Sequence, residues 1–105
     1  MTHADVMGMV EELGLPFAYD HFAQGEVPPA PYVCFRFEKS ANFSADDVVY
    51  AMLQELHLEL YCEVKDPETE AQVEDVLLKH GLFWDKSEKW VEREKLYEVL
   101  YRVTV

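Results

Sequence analysis

Apolar residues recur along this chain at two periods, and the switches between them divide it into elements. Val6, Met9, Val10 and Leu13 fall at helical spacing. Thr2 and Asp5 ahead of them read as a capping box with Asp in place of Glu, and Gly14 is placed for a left-handed C-terminal cap. Leu15 and Pro16 leave the predicted helix, and Phe17 to Phe22 reads as a short strand near a sheet edge. Gln24 to Pro31 holds Gly25, Pro28, Pro29 and Pro31, the composition of a loop with an extended exit.

From Tyr32 to Glu38 the alternation is strict. Val33, Phe35 and Phe37 take one face, and Tyr32, Cys34, Arg36 and Glu38 the other. Lys39 to Asp47 is polar and reads as a loop. Val48 to Val64 reads as one long strand, bulged near Gln54, although its first half has helical propensity as well. Its second half sets Leu56, Leu58, Leu60, Cys62 and Val64 against His57, Glu59, Tyr61 and Glu63. Asp66 as cap and Pro67 in the first helical position then open a second helix. Glu68 and Glu70 sit in its first turn, where the helix dipole favours anions. Val73, Val76, Leu77 and His80 make its face, and Gly81 stops it.

Leu82 to Val91 follows as a strand with a charged middle, and Lys95 to Val105 as the last strand. In the latter, Tyr97, Val99, Tyr101, Val103 and Val105 oppose Leu96, Glu98, Leu100, Arg102 and Thr104. The order α-β-β-β-α-β-β implies a two-layer α+β domain: an antiparallel sheet of about four to five strands with two helices packed on one face. The length suits a single domain over residues 1–105.

Charge changes this picture most. The chain has 21 acidic and 9 basic side chains, a formal charge of −12, yet half of it is hydrophobic. Such a chain has material for a core, so the acid belongs on a folded surface that repels nucleic acid. No apolar run reaches the length of a membrane span, and the first residues lack a basic region followed by an apolar stretch; both point to a cytosolic protein without membrane partners. In that compartment Cys34 and Cys62 are expected as buried free thiols.

Candidate chemistry adds little. His57-x-Glu59 matches the start of a zinc-deaminase signature, but the Pro-Cys-x-x-Cys part is missing. His57 and Cys62 are five apart on an alternating strand and project to opposite faces. His80 suits a helix end. The carboxylate pairs Glu11-Glu12, Asp46-Asp47 and Glu74-Asp75 lie on predicted loops and helix exteriors, and no Gly-rich phosphate loop or Gly-x-Ser-x-Gly is present. These readings give no catalytic residue, metal or cofactor. The aromatics say more. Both faces of the last strand are partly apolar, and a two-layer domain leaves one sheet face without helices, which favours self-association. Tyr97 and Tyr101 are the candidates for that contact.

Several blocks together resemble a known family. They are Leu15-Pro16-Phe17-Ala18-Tyr19-Asp20-His21-Phe22 with Pro29-Ala30-Pro31-Tyr32-Val33, then Asn42-Phe43-Ser44-Ala45-Asp46, and Leu58-Glu59-Leu60-Tyr61 leading into Lys65-Asp66-Pro67-Glu68. Trp84-Asp85-Lys86-Ser87-Glu88-Lys89-Trp90-Val91-Glu92 and Tyr97-Glu98-Val99-Leu100-Tyr101 close the series. In their order and in total length the chain resembles the small tail-completion, or tail terminator, proteins of long-tailed phages and prophages of Gram-positive bacteria. Ala51-Met52-Leu53 is more apolar than that pattern.

The resemblance implies an α+β protomer that assembles, commonly as a hexameric ring, at the head-proximal end of the tail tube. There it ends tube polymerisation and joins the tail to the head. Its implied partners are copies of itself, the major tail tube protein and a head–tail connector or stopper protein, with DNA passing through the lumen unbound. Its implied place is the virion, after assembly in the host cytoplasm, and it carries no catalytic residues. The loops Gln24–Ala30 and Lys39–Asp47 are then expected to face neighbouring rings or the lumen, which singles out Gln24, Glu26, Asn42, Asp46 and Asp47. Part of the acid, Asp46 and Asp47 first, would line the lumen and repel phosphate, while Glu68 and Glu70 only serve their helix. The alternatives are a head–tail connector or stopper and, from another class, an acidic nucleic-acid mimic that inhibits a DNA-binding enzyme.

Overall fold

The first helix begins as its sequence predicts. Thr2 Oγ1 accepts a hydrogen bond from Asp5 N at 3.0 Å, and Asp5 Oδ2 accepts one from Thr2 N at 2.9 Å. These bonds, the backbone one foremost, hold the Asp5 carboxyl below the usual carboxylate range. The structure, a computed structural model, describes residues 1–45, 48–51 and 53–105; over 43–45 and 48–51 it describes the backbone alone. Its elements are α1 (His3–Glu11), β1 (Phe17–Tyr19), β2 (Tyr32–Ser40), β3 (Phe43–Ala45), β4 (Val48–Ala51), β5 (Gln54–Cys62), α2 (Pro67–Lys79), β6 (Trp84–Val91) and β7 (Leu96–Thr104).

Five strands form one sheet in the order β1-β2-β5-β7-β6, and β3 pairs with β4 in a separate two-stranded sheet. The α+β reading stands, with one refinement. β2, β5, β7 and β6 are antiparallel in turn, but β1 lies parallel to β2. A parallel neighbour needs a connection of about a dozen residues, which the proline-rich segment after Tyr19 supplies. Since β5 and β6 both run against β7, they run in the same direction, and α2 is the crossover between them.

Other expected boundaries move. The segment 39–47, expected as a loop, is partly strand: β2 continues through Ser40, and β3 occupies Phe43–Ala45. The expected long strand 48–64 is divided into β4 and β5. The irregularity expected near Gln54 falls on the partner strand, between Phe37 and Lys39. Register explains this: Gln54 pairs with Ser40 and closes the ladder, so the extra residue is taken up at Glu38.

Cross-strand rows build the core. Val33–Leu60–Val99, Phe35–Leu58–Tyr101 and Phe37–Leu56–Val103 lie side by side on one face. Onto them pack Val6, Met9, Val10 and Leu13 from α1 and its C-terminal turn, and Val73 and Leu77 from α2. Both helices therefore cover the same face. Asp66 caps α2, its Oδ2 accepting from the Thr69 hydroxyl at 2.6 Å and its Oδ1 from Thr69 N at 3.2 Å. Glu70, expected only to serve the helix dipole, is buried instead. Lys65 Nζ lies 2.7 Å from its Oε2 and Lys86 Nζ 3.2 Å from its Oε1. The Lys65 approach is close but off the hydrogen-bonding direction, so charge rather than a directed bond holds that oxygen. These two lysines fasten α2 to the sheet beside β6.

Tyr101 ties the two layers together. It is wholly buried, and its hydroxyl donates to Glu74 Oε2 on α2 at 2.8 Å. Tyr101→Phe keeps the packed ring and loses the bond, so chemical denaturation should show a loss of about 1 kcal/mol. Tyr101→Ala opens a cavity under α2 and should cost about 3–5 kcal/mol, the range for truncating a buried aromatic.

Candidate interaction surface

The sheet face away from the helices follows from the same alternation. Its rows are Tyr32–Tyr61–Glu98–Lys89, Cys34–Glu59–Leu100–Ser87 and Arg36–His57–Arg102–Asp85. No helix covers it, yet His57 and Glu59 are nearly buried there. Ion pairs explain the burial. The Arg36 guanidinium pairs with Glu59 through Nη1 and with Glu38 through Nε, the latter at 2.7 Å. Tyr61 donates its hydroxyl to the other Glu59 oxygen at 2.7 Å. Arg36 Nη2 lies 3.2 Å from His57 Nδ1; Arg36 has only donors, so Nδ1 accepts and the ring proton sits on Nε2, aimed at Glu55 Oε2 at 3.1 Å. The guanidinium holds the Glu38 carboxyl below the usual range, and burial pushes the Tyr61 phenol well above its ordinary value.

The strand residues of this face are close to neutral in sum. Its strands carry Arg36, Lys39, Lys89 and Arg102 against Glu38, Glu55, Glu59, Asp85 and Glu98. The rest of the chain sets five basic residues against sixteen acidic ones. Like copies repel one another least across the open face.

Two clefts mark its opposite corners. One, of about 230 Å³, is lined by Phe22, Val27, Tyr32, Cys34 and Tyr61, with Asp20, His21 and Glu94 beside them. Phe22 meets Tyr32 edge-on at 5.4 Å, and Tyr32 stacks on Tyr61 at 5.1 Å. Burial raises the Cys34 thiol above its ordinary value, and the charges of Asp20, Glu94 and Glu98 raise it further, so the cleft is electrically negative. The other, of about 180 Å³, lies at the start of β6 among Phe83, Trp84, Asp85, Arg102 and Thr104.

The residues expected at interfaces or the lumen are scattered. Gln24 and Glu26 are exposed in the turn that follows His21 and Phe22. Asn42 is exposed at the base of the β3–β4 hairpin, where its Oδ1 accepts from Leu53 N at 3.1 Å. Asp46 and Asp47 lie outside the described residues. Tyr97 is half-buried on the helix-covered face, edge-on to Trp90 at 5.0 Å. Tyr101 does not belong with it. Wholly buried between sheet and α2, it has no surface to offer a second chain. The two share an alternating face, and helices rather than a partner cover the part of that face at Tyr101. Cys34 and Cys62 are free and buried on opposite faces. Among the described residues no three His, Cys, Asp or Glu side chains gather where a metal ion would bind, and no helix is long and apolar enough to cross a membrane.

The Arg36–Glu59 pair depends on register, which no local pattern contains: Glu59 stands opposite Cys34, two residues from Arg36 on the same face. Arg36→Met leaves the nearly buried Glu59 without its cation and should destabilise the fold by about 1–3 kcal/mol in urea titrations. Adding Glu59→Met should recover most of that loss, because a buried ion pair and an apolar replacement are of similar stability.

No family model matches the chain, and no curated protein matches it in sequence. Among solved structures it is similar to a chain from the virion of a native gene transfer agent (GTA) particle, with a TM-score of 0.61 at 13% identity, covering 91% of this chain and 81% of that one. At that identity the likeness shows a shared fold.

Proposed function

We propose that this chain is a structural protein of a phage-like particle, forming a ring of copies at the head-proximal end of the tail tube. The ring ends tube polymerisation and joins the tail to the head. One observation carries the reading: the fold is shared with a chain of a virion over 91% of this chain and 81% of that one. The step from fold to role is an analogy, and the ordered sequence blocks that resemble tail terminators support it independently. The surface fits as well. An open sheet face sealed by its own ion pairs and low in net charge suits contact between copies, and a strongly acidic remainder suits a wall past which DNA slides. On this reading the partners are further copies, the tube protein and a connector or stopper protein.

The same fold likeness admits a connector or stopper role, and one experiment separates the two. Particles assembled without this chain should show tubes of irregular, excessive length that are not joined to heads in negative-stain images. Tubes of normal length beside unjoined, leaking heads would assign the chain to the connector. Complete, infectious particles would overturn both readings.

A further inference from the structure

Phe83 is the most exposed large apolar residue described, at 91%, and its position is built rather than slack. Gly81, in the left-handed region at φ 69°, ends α2, and Leu82 N bonds back to Leu77 O at 3.0 Å. Leu82 and Trp84 on either side pack against the core. With both neighbours anchored, the Phe83 ring is held outward. Leu78, 63% exposed, is nearby on the last turn of α2. Arg102 lines the cleft beside Phe83, opposite Asp85 in the ladder, and makes no ion pair among the described residues, so its guanidinium is available at the side of the knob.

The cleft at the other corner has the complementary chemistry. Its lining is aromatic and apolar, its acidic groups are Glu94 and Asp20, the latter bonded to His21 Nδ1 at 2.8 Å, and its volume of about 230 Å³ exceeds the roughly 150 Å³ of a cavity that accommodates benzene. Knob and cleft do not meet within one protomer. Trp84 pairs with Val103 and Tyr61 with Glu98, so about five residues along β7 and two to three strands across separate them, roughly 20 Å by strand geometry.

We infer that Phe83 of one copy inserts into the Phe22–Tyr32–Tyr61 cleft of the next, with Arg102 meeting Asp20 and Glu94. The occupant is a second copy because this chain carries both halves, matched in chemistry and charge. Such a contact joins two different surfaces, head to tail, and repeated contacts of that kind close into a ring when the rotation permits. In a molecule with a charge of −12, a contact that sets a cation against two carboxylates also offsets the repulsion between copies. The inference rests on the ring reading above and names the surfaces that would make it.

Sedimentation velocity at rising concentration tests it. The unaltered chain should assemble. Phe83→Asp should weaken assembly by roughly tenfold to a hundredfold, the worth of one buried aromatic side chain. Arg102→Glu and Glu94→Lys should each weaken it, and the two together should restore it. All three residues are exposed, so circular dichroism should remain that of the unaltered chain. Assembly unaffected by Phe83→Asp, with no rescue between the charge reversals, would overturn this contact while leaving the ring. An unaltered chain that is monomeric at every concentration would overturn the ring reading and the contact with it.

Discussion

Everything in this molecule hangs from three apolar rows that cross the sheet on one face. Val33–Leu60–Val99, Phe35–Leu58–Tyr101 and Phe37–Leu56–Val103 offer the surface on which α1 and α2 bury their own apolar stripes. Each fully buried side chain of this kind contributes about 1.5–3 kcal/mol, and the helices have no comparable surface elsewhere. A short helix such as α1, nine residues long, is marginal alone in water and depends on that packing. Because both helices go to the same face, the other is left to seal itself.

It does so with charge. Arg36 stands among Glu38, Glu59 and His57, and the tyrosine hydroxyl of Tyr61 completes the carboxylate at Glu59. The arrangement satisfies the polar groups of the bare face and brings its net charge close to zero while the rest of the surface stays strongly acidic. The buried Glu70, held between Lys65 and Lys86, uses the same device on the helix side. Of the nine basic residues, then, Arg36, Lys65 and Lys86 neutralise carboxylates that the fold has drawn out of water, and the acid left over is what the molecule shows its surroundings.

Much of the fold was legible in the sequence because period and punctuation agree. Asp66, Pro67 and Gly81 bracket α2, and strict alternation over Tyr32–Phe37, Leu56–Cys62 and β7 sorts those residues to their observed faces. What depends on pairing between distant segments was not legible. Nothing local in Phe17-Ala18-Tyr19 says that it joins β2 in parallel, and nothing in 39–51 separates a polar loop from a small hairpin of its own. The candidate surface suffered most from this. Tyr101 looked like an interface residue because alternation gives a face but not what covers it. Phe83 is not legible in the sequence, because a single apolar residue after a helix is ordinary unless both of its neighbours are anchored. The Arg36 network needs a register that no local pattern contains.

The central claim is that copies of this chain form a closed collar between tube and head. A cryo-electron microscopy reconstruction of the particle that carries the chain tests it most directly. The account predicts one ring of copies at the head-proximal end of the tube, joined head to tail around the axis, with acidic surface toward the channel. Copies stacked along the length of the tube, or a particle in which the chain is missing from the boundary between tail and head, would contradict it.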